Sequence, residues 1–275
     1  MFERPRMKKA KNATETRLQH IGLKRPRAEA FAYADDLHNV AYDWHSHSYH
    51  QLLYSFSGVT RLETRAHLWL LPPQRAAWIP AGVRHRTTLY RVTACSIFFQ
   101  PGRYAFAGLD RIAIFTATPL LREMISFGQR WTNRARSRDP LAENFFRTAA
   151  LYCRELARTE LPYSLPRGRS KAVCAAVNFT VAHLEAVTIS QVAHASALSV
   201  RTLRRHFLAE IGLSWRDFLT RARLLRAVEL LVDGKSNVTE TAYACGFTNL
   251  SAFSKAFSNF AGQNPAVFRR NRRSG

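Results

Sequence analysis

Acidic residues are scarce in this chain of 275: 19 Asp and Glu face 41 Lys and Arg, a formal charge of +22. Such a field draws in polyanions, so nucleic acid is the first partner it implies and an anionic membrane surface the second. Cysteine is scarce too. Cys95, Cys153, Cys174 and Cys245 stand far apart with no CxxC pair, which argues against a disulfide framework and for a reduced, cytoplasmic protein. No apolar run approaches the ~20 residues a membrane-spanning helix needs. No apolar stretch follows the basic start to make a secretory signal. A GxSxG elbow, an HExxH helix and a phosphate-cradling glycine loop are all missing, so hydrolase chemistry has no footing. What is there is a globular composition, 47% hydrophobic and 22% charged, long enough for one large or two modest domains.

The charge is densest at the two ends. Residues 1–27 carry nine basic and two acidic side chains, and residues 189–275 carry thirteen and five. The first stretch is polar and without hydrophobic period, which predicts a flexible basic tail over 1–27. Between 28 and 115, short runs rich in aromatic and branched residues begin at Gln51, Arg61, His67, Ala76 and Cys95, punctuated by Gly58, Pro72, Pro73, Pro80 and Gly82. This spacing predicts a small β-sandwich or barrel. After Thr118 the period lengthens, and Leu120, Leu121, Met124 and Ile125, then Leu141, Phe145, Ala149 and Tyr152, fall at helical intervals. Residues 116–165 therefore read as a helical region, with a basic loop from Asn133 to Pro140. Leu161 to Ser170, with two prolines and a glycine, is the expected linker. Everything from 170 to 273 reads as helix and turn, and the fold class expected is α+β.

The C-terminal hundred residues repeat themselves at a shift of 50: Ser199 with Asn249, Leu203 with Phe253, Phe207 with Phe257, Gly212 with Gly262 and Phe218 with Phe268. Each copy reads as helix, tight turn, helix. Thr188 and Ser199 cap the two helices of the first unit, and Asn237 and Asn249 those of the second. With Leu203 and Phe207 inward at i and i+4, Arg201, Thr202, Arg204 and Arg205 point away from the core. Three guanidiniums on one exposed face suit guanine edges or phosphates. The outward positions of the second unit are Leu250, Ser251, Ser254 and Lys255, which suggests weaker reading, including thymine methyls. Between the units, a long helix from Ser214 through Leu231 would hold them rigidly, so that both could enter successive major grooves ~34 Å apart.

This stretch resembles the DNA-binding domain of the AraC/XylS family of bacterial transcription regulators from about Lys171 to Arg270. The resemblance runs through Val192-Ala193, Leu203-x-Arg205-x-Phe207, Gly212-x-Ser214, Arg223-Leu224-x-x-Ala227, Val238-x-x-x-Ala242-x-x-x-Gly246-Phe247, Ser251-x-Phe253-x-x-x-Phe257 and Gly262-x-x-Pro265-x-x-Phe268-Arg269. It implies base contacts from Arg201, Arg204 and Arg205, and from Leu250, Ser251, Ser254 and Lys255. It also implies double-stranded promoter DNA as partner, a homodimer formed through the N-terminal half, and RNA polymerase as a further partner if the protein activates.

The N-terminal half holds one conspicuous cluster, with His45, His47, His50 and Gln51 close together and His85 following Pro80 and Gly82. On an extended strand, even spacing would put His45, His47 and Gln51 on one face. The spacing of His45, His47, Gln51, Gly58, Pro80, Gly82 and His85 resembles the two cupin motifs, as in AraC-like regulators of the NimR type with a cupin sensor domain. That resemblance implies a divalent metal held by imidazoles and a carboxylate, with Gln51 standing where the carboxylate would be and lowering affinity. His67, His183 and His194 read as ordinary polar positions, while His206 sits beside the arginines with phosphate as its expected contact.

The expected function is a sequence-specific transcription regulator, cytoplasmic and nucleoid-associated. Its barrel would sense a small molecule or metal, its tandem helix-turn-helix units would read promoter DNA, and no catalysis is required. Two other readings compete. One is a metal-dependent, oxygenase-like cupin enzyme fused to a DNA-binding module. The other is unspecific nucleic-acid packaging driven by charge alone, which predicts equal affinity for all duplexes and a steep salt dependence.

Overall fold

A computed structural model describes residues 7–37, 40–90, 92–104, 109–133, 139–159, 161 and 163–271. In chain order its first elements are α1 (Met7–Ile21), β1 (Ala30–Leu37), β2 (Val40–His45), β3 (His50–Ser55), β4 (Val59–Glu63), β5 (His67–Leu71), β6 (Arg75–Ile79), β7 (His85–Tyr90) and β8 (Val92–Phe99). There follow α2 (Pro101–Tyr104), β9 (Ala113–Thr116), α3 (Pro119–Gly128), α4 (Pro140–Leu156) and β10 (Ser164–Pro166). The rest is helical: α5 (Lys171–Ala182), α6 (Ile189–Ala195), α7 (Val200–Ile211), α8 (Trp215–Asp233), α9 (Val238–Ala244), α10 (Leu250–Ala261) and α11 (Pro265–Asn271). The chain forms two compact units, one from residues 1–62 and 71–161, the other from residues 63–70 and 162–274. The α+β expectation holds, with a β-rich first half and a helical second half.

In the first unit, β1, β8, β3, β6 and β9 form one antiparallel sheet in that order. Side chains on a strand alternate between faces, and this sheet uses both. Leu52 and Tyr54, Ala76 and Trp78, Cys95, Ile97 and Phe99, and Ala113 and Phe115 enter one large core. The intervening Gln51, Leu53, Ser96 and Phe98 line a cavity. Trp78 is fully buried, and its indole N–H donates to the Leu109 carbonyl at 3.0 Å, so its burial leaves no polar atom unsatisfied. A second sheet contains β2 paired antiparallel with β7.

The residues expected to form a separate helical region belong to this core. Leu121 and Ile125 of α3, and Phe146, Ala150 and Cys153 of α4, pack into the same cluster as Trp78 and Phe99. Helix ends are set locally: the Thr118 hydroxyl accepts the Leu121 amide, the Asp139 carboxylate accepts the Leu141 amide, and a proline follows each cap. Within the expected basic loop, residues 134–138 lie outside the described residues.

Residues 7–27 are not a flexible tail. Residues 1–6 are outside the described part; the rest contain helix α1, and Leu18, Ile21 and Leu23 are buried against Phe31, Tyr49 and Phe98. The Thr14 hydroxyl accepts the Asp43 amide at 2.8 Å, and Arg17 donates to the Ala41 carbonyl at 3.2 Å, which fastens the helix along β2. The following turn is clamped by Asn133, whose side chain donates to the Gly22 carbonyl and accepts from the amides of Arg27 and Ala28. Gly22 has φ +92°, and a Cβ there would strike Asn133, so two separate constraints require glycine.

The second unit also departs from expectation at the linker. Residues 161–170 contain β10, which pairs antiparallel with β5, Leu165 opposite Leu68. The Glu63 carboxylate, almost wholly buried, is met by the guanidinium of Arg167, and Tyr163 is buried against the Phe260 ring, 4.9 Å away. The helical remainder matches the repeat closely. α6 and α9 are both seven residues, α7 and α10 both twelve, and both longer helices end on a left-handed glycine, Gly212 and Gly262, each at φ +74°. The hub is α8, whose Phe218, Leu219, Ala222, Leu225, Val228 and Leu231 are buried.

Candidate metal centre and nucleic-acid interface

His45, His47 and His85 converge in the first unit, each with a ring nitrogen within 4.8 Å of the others'. Among the described residues no carboxylate or thiol joins them within that distance. Convergence is not produced by one strand face, as the sequence suggested. β2 ends at His45 and β3 begins at His50, so His47 lies in the connection, where its carbonyl accepts the Gly82 amide at 2.9 Å. His45 and His85 are cross-strand partners on β2 and β7, with ring centroids 4.3 Å apart, beyond an irregularity in the register after Tyr42. Gln51 enters from β3. His50 turns away, stacking on Trp78 at 5.4 Å and accepting the Ala81 amide.

The tautomers follow from the backbone. Nδ1 of His45 faces the Asp43 carbonyl at 2.7 Å, that of His47 the Tyr49 carbonyl at 2.7 Å, and that of His85 the Val83 carbonyl at 2.9 Å. A carbonyl only accepts, so each Nδ1 carries the hydrogen and each Nε2 presents a lone pair. Burial lowers all three basicities: His45 falls to about 4, His85 to about 3 with the imidazoles of His45 and His47 adding to burial, and His47 falls as well. Three neutral imidazoles, each oriented by a second group, are the donor set of a borderline divalent cation.

Gln51 completes the cluster in an informative way. Its Nε2 donates to Ser96 Oγ at 2.8 Å, which leaves Oε1 3.0 Å from His47 Nε2. With Nδ1 protonated, those two atoms are both acceptors. A cation between them resolves the conflict, and so does turning the amide to donate to His47 and accept from Ser96. What fits a metal is the convergence of three imidazoles whose rings are each held by a backbone carbonyl, and Gln51 joins them only in the first of these orientations. The cavity they line has a volume of about 50 Å³ and an apolar wall that includes Leu18, Ile21, Leu53 and Phe98.

In the second unit, the caps lie where the sequence placed them. Thr188 with Gln191 and Asn237 with Glu240 form reciprocal capping boxes, and Ser199, Ser214 and Asn249 cap the next helices. Leu203, Phe207, Phe253 and Phe257 are wholly buried. Arg201, Arg204 and Arg205 are exposed on the opposite side of α7, and Leu250, Ser251 and Lys255 on that of α10, with Ser254 half-buried. Thr202 is also half-buried, its hydroxyl accepting from Ser199 at 2.9 Å, so it extends the cap. His206 lies beside Arg205, 3.4 Å from its guanidinium.

Two features escaped the sequence reading. Leu208 is 56% exposed, one turn beyond Arg204 and Arg205, and adds an apolar group to the same face. Arg223, the first residue of the Arg223-Leu224-x-x-Ala227 motif, donates to the carbonyls of Leu184 and Glu185. Gly246, at φ +81°, approaches the same two carbonyls so closely that a Cβ would lie 2.5 Å from one of them. Together they seat the loop before α6 against the turn after α9. The spacing alone could not reveal this contact between distant segments.

Comparison with known proteins gives two matches that do not overlap. Residues 28–108 match the AraC-like ligand binding domain, and residues 192–271 a helix-turn-helix domain, between them more than half the chain. The HTH-type transcriptional regulator NimR of Escherichia coli K12 is 27% identical over 229 residues, 82% of this chain and 81% of that protein. The HTH-type transcriptional activator RhaS of Escherichia fergusonii is 38% identical over 88 residues, 32% of each chain. Among solved structures, the DNA-binding domain of the global transcriptional factor AdpA, in complex with a target DNA, is 29% identical with a TM-score of 0.36, covering 38% of this chain and 96% of that one.

Proposed function

The chain belongs to the AraC family of transcription regulators, and from that premise we propose that α7 and α10 read two neighbouring sites on promoter DNA under control of the His45–His47–His85 cavity. Arg201, Arg204 and Arg205 form the principal reading surface, contacting guanine edges and phosphates from the exposed side of α7. Leu250, Ser251 and Ser254 form a lighter surface on α10, with Lys255 on phosphate. The observation that carries this reading is the exposure of three guanidiniums on the face opposite the buried Leu203 and Phe207, inside a duplicated helix-turn-helix. A selection of bound sequences from random duplexes tests it. The expected outcome is a bipartite motif whose one half loses definition in Arg204→Ala and Arg205→Ala. Enrichment of no motif in the unsubstituted protein would support unspecific packaging instead.

In the first unit, His45, His47 and His85 would hold a divalent ion through Nε2, with Gln51 offering Oε1, and a small effector would share the cavity. When bound, such an ion supplies a Lewis-acidic anchor for the effector. The chain's own contribution is to orient the imidazoles through three backbone carbonyls and to shield them with α1. The outward faces of α3 and α4, which carry Leu120 and Phe127, and Leu141 and Leu151, are where a second copy would pair. Among the described residues no helix is long and apolar enough to cross a membrane; the regulator would work in the cytoplasm, at the nucleoid, with RNA polymerase as partner where transcription is activated. Sensing requires only that the effector favour one arrangement of the protein over another, with no turnover.

A further inference from the structure

Among the described residues the candidate metal centre has no negatively charged donor. Its three imidazoles are neutral, Gln51 is neutral, and His85, His47 and Gln51 are at most 9% exposed. Asp35 lines the same cavity, but it is exposed, accepts the Tyr33 hydroxyl at 2.9 Å and is not among the converging groups. The carboxylates of Asp43 and Glu15 act on His45 through space without joining the cluster, so a dication there would be only partly offset in a largely buried position, within a chain already at +22. Burying uncompensated charge is costly, and a negative ligand relieves it. The cavity also limits what that ligand can be. Among the described residues no Lys or Arg lines it, so a phosphate or sulfate would find no cationic side chain there, while Leu18, Ile21, Leu53 and Phe98 offer a hydrocarbon wall.

We propose that His45, His47, His85 and Gln51 bind a divalent ion together with a small carboxylate, whose oxygen supplies the negative charge Gln51 lacks and whose short tail lies on the Leu18, Ile21, Leu53 and Phe98 wall. The proposal rests on the metal reading of this cavity and adds the chemical class of its effector. It assigns Gln51 a purpose: a glutamate would neutralise the ion from within, whereas glutamine leaves that task to the ligand. Ion and carboxylate therefore bind cooperatively.

The test uses the full chain loaded with Co²⁺, whose visible absorption reports its ligands, titrated separately with butyrate, acetate and chloride. The expected result is a Co²⁺ spectrum abolished in His47→Ala and shifted saturably by butyrate at lower concentration than by acetate, with chloride weakest. Gln51→Glu is expected to bind Co²⁺ roughly tenfold more tightly and to lose the butyrate response. Thermal unfolding of the unsubstituted chain gives a second readout, in which Co²⁺ and butyrate together raise Tm by more than the sum of their separate effects. No Co²⁺ spectrum in the unsubstituted chain would remove the metal reading and this proposal with it. A spectrum that butyrate leaves unmoved, or moves equally in Gln51→Glu, would overturn the carboxylate proposal alone.

Discussion

The two helix-turn-helix units match each other in length, caps and terminal glycines, yet present different chemistry to solvent. α7 shows Arg201, Arg204 and Arg205, whereas α10 shows Leu250, Ser251 and Lys255. Their interiors do the same work with Leu203 and Phe207 on one side and Phe253 and Phe257 on the other. The inward positions answer to packing, which is the same problem in both copies. The outward positions answer to whatever they touch, and in this reading they touch different base pairs. Architecture is thus shared and specificity is local.

That comparison can be broken most forcefully from the inside. Phe207→Ala and Phe257→Ala each remove a wholly buried ring, and each is expected to cost ~3–5 kcal/mol in urea unfolding. Very unequal costs would show that the two cores are not equivalent. On the outside, Arg205→Ala is expected to lower discrimination at particular base pairs by ~1–3 kcal/mol, while Ser254→Ala changes it by less. Competition binding with single-base operator variants separates the two, and a uniform loss across all variants for Arg205→Ala would count against base reading. Next, Ser199→Ala and Asn249→Ala each remove an N-cap and should each cost ~1 kcal/mol, again measured by unfolding, which sharpens the equality of the scaffolds. The smallest effect is expected from Lys255→Ala, which should weaken binding evenly and reduce the salt slope by ~1. An unchanged slope would place Lys255 away from phosphate.

The helical half was legible because its signals reinforce one another. Caps, i and i+4 core positions and a shift of 50 all mark the same boundaries, and the structure places the ends of α6, α7, α9 and α10 beside them. The histidine cluster was legible as a set but not as geometry. His47 reaches the others from a connection, not a strand, because alternation along one strand is only one way to bring side chains together. Helix α1 was missed because its anchors, Leu18, Ile21 and the following Leu23, are few among basic and polar neighbours. Their burial depends on partners such as Phe31 and Phe98, far along the chain. β10 was read as a linker because Pro162 precedes it in the sequence and Pro166 is its last residue. A three-residue strand paired on one side tolerates proline, since its missing N–H need not join the ladder. The tasks of Arg223 and Gly246 depend on the carbonyls of Leu184 and Glu185, which no local pattern announces.

The segment Glu63–Leu70 is borrowed: it sits in the sequence amid the sensor strands but is counted in space with the helices almost a hundred residues later. A ribosome delivers it long before its companions exist. Until Ser164–Pro166 emerges, the Leu68 edge has no β10 to ladder with, and the buried carboxylate of Glu63 awaits the guanidinium of Arg167. A fragment starting at residue 163 would inherit the reverse debt, keeping one half of the ladder and one half of the ion pair. Dissecting this protein near residue 165 would therefore part β10 from β5 and Arg167 from Glu63, contacts that lie within one compact unit.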